Sequence, residues 1–98
     1  MNLSATQKRY LRGMGHSLHP IITVGNKGLT DALLKEFDLS LDQHELVKVK
    51  LGSEDRDLRK EQIAALGKNS RAEIIHTIGK VACYFRRNQE KPRINLPK

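Results

Sequence analysis

The spacing of apolar positions switches between about 3.6 and 2 residues along this chain, and each switch marks an element. A first helix opens at Ser4, which can cap it while Gln7 returns the bond and Leu3 staples onto the first turn. Tyr10, Leu11, Met14 and Leu18 then share about 100° of arc, a face that seeks a core. Lys8, Arg9 and Arg12 occupy the opposite arc with no carboxylate among them. Gly13, Gly15 and Pro20 mark the exit. Ile21-Ile22-Thr23-Val24 reads as a strand, and its nearly unbroken apolar character predicts a central position, buried on both faces. A second helix follows, capped by Thr30. It buries Leu33, Leu34, Phe37 and Leu41 and turns Asp31, Asp38 and Asp42 outward. Leu46 to Leu51 alternates, with Val47, Val49 and Leu51 on one face and Lys48 and Lys50 on the other. A third helix from Asp55 to Leu66 points Leu58, Ile63 and Leu66 inward, and Gly67 ends it. Glu73–Ile78 and Val81–Arg87 form a hairpin turned by Gly79-Lys80.

The order α-β-α-β-α-β-β predicts an α/β fold, a four-stranded mixed sheet packed with three helices in a single domain over residues 1–87. The pattern leaves open whether the first helix packs with the other two or across the sheet. Residues 88–98 contain Pro92 and Pro97 and few apolar positions, so they read as a basic, flexible tail.

Charge changes this picture more than size does. The chain has 98 residues and a formal charge of +7. Residues 1–30 carry four Lys/Arg and no carboxylate, residues 31–62 carry six against nine, and residues 63–98 carry eight against two. A fold that joins the two basic ends builds one positive face. Nucleic acid is the usual partner of such a face, and an acidic membrane surface is the main competitor. The single cysteine excludes an internal disulfide. Cys83 alternates with Val81 and Phe85 and reads as a small buried hydrophobe. No apolar run has the length of a signal peptide core or of a membrane span, so a cytoplasmic protein is expected.

Candidate chemistry centres on Gly25-Asn26-Lys27-Gly28, between the first strand and the second helix. Two glycines let backbone approach a ligand closely, a helix N-terminus follows, and Lys27 projects between them. The GxxG loop of RNA-binding KH domains grips a nucleic-acid backbone in this way. The bland reading is a tight turn, since glycines punctuate turns everywhere.

The element order, the Val24–Thr30 stretch and the closing Ile78-Gly79-Lys80 through Tyr84-Phe85-Arg86 together resemble a CRM domain, the family of chloroplast RNA splicing and ribosome maturation. The resemblance covers roughly Leu3 to Arg87 and is strongest toward the stand-alone bacterial members. It implies a fold similar to the C-terminal domain of translation initiation factor three, RNA binding, and association with precursors of the large ribosomal subunit. Where the family often places lysine directly after the first glycine, this chain has Asn26, with lysine at Lys27. Where the family's last strand often ends Leu-Tyr-Arg, this chain has Tyr84-Phe85-Arg86, leaving open which aromatic is exposed.

The residues read as RNA-binding are therefore Gly25, Asn26, Lys27 and Gly28, with Lys8, Arg9 and Arg12 on the first helix and Arg86 and Arg87 at the hairpin's end, which could lie near the first strand. Lys48 and Lys50 read more readily as strand solubilisers, and Lys91, Arg93 and Lys98 as a source of nonspecific attraction. His16 and His19 are too few ligands for a metal, Pro20 disrupts their helical presentation, and no carboxylate or Cys-x-x-Cys cluster completes a site. His44 and His76 show no partner pattern. No acid–base pair or nucleophile set stands out, so the expectation is a monomeric, non-enzymatic RNA-binding protein, with no cofactor and no small-molecule substrate. The alternative is a protein-binding adaptor or translation-factor-like module using the acidic second helix.

Overall fold

In the computed structural model, which describes residues 2–98, the predicted order appears as α1 (Ala5–Gly15), β1 (Ile22–Val24), α2 (Asp31–His44), β2 (Leu46–Leu51), α3 (Arg56–Asn69), β3 (Glu73–Ile78) and β4 (Val81–Phe85). The helix starts follow their capping chemistry. Ser4 and Gln7 form the reciprocal capping box. The Thr30 hydroxyl accepts from the Leu33 amide at 3.1 Å, and the Asp55 carboxylate accepts from Asp57 and Leu58.

The sheet order is β1-β2-β4-β3. β1 runs parallel to β2, and β4 is antiparallel to both β2 and β3. This places β1 at an edge, not at the centre. Its apolar run misleads because only Ile22 and Val24 are buried, whereas Ile21 and Thr23 face solvent.

Alternation along the strands sorts the core into two clusters, one on each side of the sheet. On one side, Ile22, Val24, Val47, Val49, Leu51, Ala82 and Tyr84 pack against Phe37 and Leu41 of α2 and Leu66 of α3. Phe37 and Tyr84 meet edge to face with centroids 5.0 Å apart. The Tyr84 hydroxyl donates to the Ile63 carbonyl at 2.8 Å. On the other side, Leu46, Cys83 and Phe85 pack against Leu11 of α1 and Ile94. The first helix therefore lies across the sheet from the other two, and only Leu11 of its apolar arc is fully buried. Tyr10 and Leu18 remain exposed.

The third helix departs from its predicted inner face. Leu58 is exposed, and Gln62 takes the buried position. Gly67 does not end the helix. It is buried within it, where a Cβ would stand 3.2 Å from the Ala72 carbonyl and 3.4 Å from Ile74, so its lack of a side chain lets β3 approach. The chain turns only after Ser70, through Arg71 at φ 54°. The hairpin has the predicted turn, with Ile78 paired to Val81 and Gly79 at φ 54°. Neither closing aromatic is exposed, since Tyr84 fills one core cluster and Phe85 the other.

Residues 88–98 pack on the domain, in contrast to the flexible tail expected from their composition. Ile94 enters the α1-side core, with Leu96 against it. The Pro97 carbonyl accepts from Gln7 at 3.0 Å. The anchor is Glu45, which is fully buried at the end of α2. Its carboxylate accepts from the backbone amides of Asn88 (2.7 Å), Arg93 (2.7 Å) and Ile94 (2.8 Å). A glutamate among charged neighbours gives no sequence signal for this role.

Candidate nucleic-acid interface

The glycine loop continues from β1 as a tight turn. The Gly28 amide donates to the Gly25 carbonyl at 3.0 Å, with Gly28 at φ 70°. Asn26 and Lys27 form the exposed tip. Among the described residues, their amides have no backbone acceptor. The start of α2 is less available than the loop. Thr30 already caps it, and Asp31 sits in its first turn, where a carboxylate complements the helix dipole. The turn is fixed from beneath by Gly52, whose amide donates to the Val24 carbonyl at 2.9 Å. A Cβ on Gly52 would also lie 2.9 Å from that oxygen.

Strand register decides which cations can share a surface with this loop. Val24 pairs with Leu51, so the loop leaves the sheet at the Leu51 end of β2. The Gly79-Lys80 turn lies at the same end, where the Lys80 carbonyl accepts from the Leu51 amide. Phe85 pairs with Leu46 at the other end, roughly 17 Å away at about 3.3 Å per residue. Arg86 and Arg87 follow Phe85, so they lie far from the first strand rather than near it.

Those two arginines are also engaged. Arg86 is held by Asp38 and Asp42 on the outer face of α2 and by the Ser70 carbonyl. Arg87 lies 3.9 Å from the buried Glu45 carboxylate. Lys80 pairs with Glu54, whose carboxyl is held below its usual range by the lysine's hydrogen bond and charge.

The remaining predicted cations are free of ion pairs among the described residues. Lys8, Arg9 and Arg12 are exposed along α1, and Lys27 tops the loop. Among the described residues, no carboxylate forms an ion pair with any of these four. Arg12 reaches the half of the sheet nearer the loop, over Ile78, Val81 and His76. The row Thr23, Lys50, Val81 and Ile78 crosses that half, and Thr23, Lys50 and Ile78 are exposed.

Three further cations gather at the loop end without having been singled out from the sequence. Arg56, Arg59 and Lys60, on the first turns of α3, border a cleft with Thr77 and Gly79. In the sequence their charge is offset by the nine carboxylates of residues 31–62. Only the topology shows that α3 begins where the hairpin turns. Among the described residues, no group of three or more His, Cys, Asp or Glu is placed to hold a metal ion, and no helix is long and apolar enough to cross a membrane.

A mixed sheet between two helical layers, with an exposed glycine turn at one end and, among the described residues, unpaired cations on that turn and along α1, defines a small α/β domain with the electrostatic footprint of a nucleic-acid binder. More particularly, the chain belongs to the CRS1/YhbY (CRM) domain family, whose model matches residues 3–86. It is 40% identical over 96 residues to "Probable RNA-binding protein PA4753" of Pseudomonas aeruginosa, covering 98% of this chain and 91% of that one. It is 36% identical over 96 residues to an "RNA-binding protein" of Haemophilus influenzae, covering 98% and 96%. The solution structure of a Staphylococcus aureus protein superposes with a TM-score of 0.82 at 33% identity, covering 98% of this chain and 100% of that one.

Proposed function

We propose that this protein binds RNA, specifically ribosomal RNA in precursors of the large subunit, through the Gly25–Gly28 turn and the cationic face of α1, and that it acts by binding rather than by catalysis. The observation that carries the reading is an exposed turn whose two tip amides have no backbone acceptor among the described residues, together with four exposed cations, Lys8, Arg9, Arg12 and Lys27, that no described carboxylate pairs. Relatives named for RNA binding support the RNA partner. The restriction to large-subunit precursors follows from the resemblance to the stand-alone bacterial members. Phosphate contacts supply most of the affinity, and selectivity comes from RNA shape and unpaired bases. The buried state of Tyr84 and Phe85 argues against an aromatic stacking platform.

The adaptor reading loses weight, because Asp38 and Asp42 on the acidic face of α2 already hold Arg86. We also propose a cytoplasmic monomer, in keeping with bacterial relatives named for RNA binding.

Filter binding to ribosomal RNA across a salt series tests the surface, and an immunoblot of a gradient-fractionated lysate tests the target. The double variant Asn26→Asp, Lys27→Asp should bind weakly and lose roughly one unit of salt slope. The protein should travel with immature large-subunit particles. Parental affinity in the folded double variant would overturn the loop assignment. Recovery only in ribosome-free fractions would overturn the assembly role.

A further inference from the structure

α1 covers only part of its side of the sheet. It stops near the row formed by Lys48, Cys83 and His76, leaving the loop-side row of Thr23, Lys50 and Ile78 open. At the boundary lies a pocket of about 70 Å³ that Arg12 of α1, His16 just after it, Lys48 of β2 and His76 of β3 line together. The His16 and His76 rings stand 6.4 Å apart. The Lys48 ammonium donates to the Gly15 carbonyl at 3.0 Å, which fixes it at the C-terminal end of α1. The pocket's walls are Gly15, Ile78, Val81 and Cys83, so no carboxylate lines it.

We propose that Arg12, His16, Lys48 and His76 form a second phosphate site, which takes one phosphodiester of an RNA strand running from the glycine turn across the open row of the sheet, and which tightens as the His76 imidazole becomes protonated.

The charges favour an anion of this kind. Two permanent cations and two imidazoles converge on a space with room for phosphate oxygens but not for a nucleobase. Guanidinium, ammonium and imidazolium groups are all donors to phosphate. The groups facing His76 are Arg12 from α1, His16 just after it, Lys48 from β2 and the Cys83 thiol from β4. Burial first, then the charges of Arg12, His16 and Lys48, hold the His76 imidazole below its ordinary range. Burial pushes the Cys83 thiol up to about 11, so it stays neutral beside the pocket. An entering phosphate reverses the balance at His76, since an opposite charge favours the protonated ring. Its pKa is therefore higher in the complex than in the free protein. By linkage, affinity must rise as pH falls through the bound-state value and level off below the free-state value.

This inference rests on the RNA-binding reading, and the experiment separates the two. Fluorescence anisotropy with a labelled single-stranded RNA oligonucleotide is measured from about pH 8 to about pH 5.5, across the imidazole range, for the parent, His76→Gln, Arg12→Gln and His44→Gln. The parent should gain about tenfold in affinity over that range, corresponding to a rise of about one unit in the bound imidazole pKa. His76→Gln should flatten this gain, Arg12→Gln should weaken binding at every pH, and His44→Gln, which lines a different groove, should keep the parental profile.

A second measurement needs no variant. The His76 ring proton shifts of the parent, titrated with and without inorganic phosphate, should give a higher pKa with phosphate present. RNA binding with the same pH profile in His76→Gln and the parent, or a His76 pKa indifferent to phosphate, would overturn the pocket and leave RNA binding standing. No RNA binding by the parent at any pH would overturn both readings.

Discussion

Replacing Glu45 tests the best-buried charged group in the molecule and the part of the fold that supports the cationic helix. Its carboxylate accepts three backbone amides from the 88–98 segment and has no exposure to solvent. Each charge-assisted bond is worth about 1.5–3 kcal/mol net. Their sum overstates the loss, because the segment can detach and let water satisfy its amides. Detachment also exposes Ile94, worth about 1.5–3 kcal/mol, but returns backbone entropy of about 1–2 kcal/mol per released residue. The expected loss for Glu45→Ala is therefore about 2–4 kcal/mol. At about 4–8 °C per kcal/mol for a domain of this size, the melting temperature should fall by roughly 10–25 °C.

Glu45→Gln can keep the acceptor that serves Arg93 and Ile94 but turns a donor toward the Asn88 amide, so it should lose only about 1–2 kcal/mol. Glu45 also sits at φ 63°, where a Cβ is unfavourable, so Glu45→Gly should be less harmful than Glu45→Ala by about 1 kcal/mol. Thermal melts give the ranking, and hydrogen exchange at the Arg93 and Ile94 amides reports the detachment. If Glu45→Ala melts within about 2 °C of the parent and Ile94 remains protected, the carboxylate does not anchor the segment.

Gly52→Ala should displace the glycine turn, because its Cβ would stand 2.9 Å from the Val24 carbonyl. Chemical shift changes concentrated at residues 24–28 and weaker RNA binding would bear this out, and an unchanged turn would refute it. Leu11→Asp places a charge in the fully buried α1-side core and should destabilise the domain by several kcal/mol or about that order, measured by urea titration. Lys8→Glu, Arg9→Glu, Arg12→Glu should instead melt like the parent and lose RNA affinity, and failure of that contrast would refute the two-faced reading of α1. The Cys83 thiol, buried and raised to about 11, should react with a thiol reagent at neutral pH only as fast as the domain opens. Rapid labelling of the folded protein would contradict its burial.

The elements were legible because capping and alternation are local. Ser4 with Gln7, Thr30, Asp55 and the Gly79-Lys80 turn each act within a few residues of themselves. What the sequence hid depends on contacts between distant segments. The apolar run at Ile21–Val24 could not reveal an edge strand, since α2 packed on one face is enough to bury Ile22 and Val24. Gly67 resembles a helix stop but serves the approach of Ile74. The tail resembles a solvated segment because its acceptor, Glu45, lies more than forty residues away. The candidate loop and the α1 cations were visible as patterns, whereas His76 became informative only once the strand register set it beside Lys48 and under Arg12.

Net charge is therefore a poor guide to where this domain can grip an anion. Arg86 and Arg87 at the Phe85 end lie against Asp38, Asp42 and Glu45, and Lys80 against Glu54, so their charge is largely neutralised within the fold. Among the described residues, Lys8, Arg9, Arg12 and Lys27 have no such partner. An incoming phosphate would have to displace a carboxylate to use Arg86, but would displace only water at Lys27. Released counterions and water favour the second path. The acidic outer face of α2, which suggested a docking site from sequence alone, acquires another role in this light. By holding Arg86 at the far end of the sheet, it neutralises one of the cations there, and so weights the surface of a basic chain toward the glycine turn and α1.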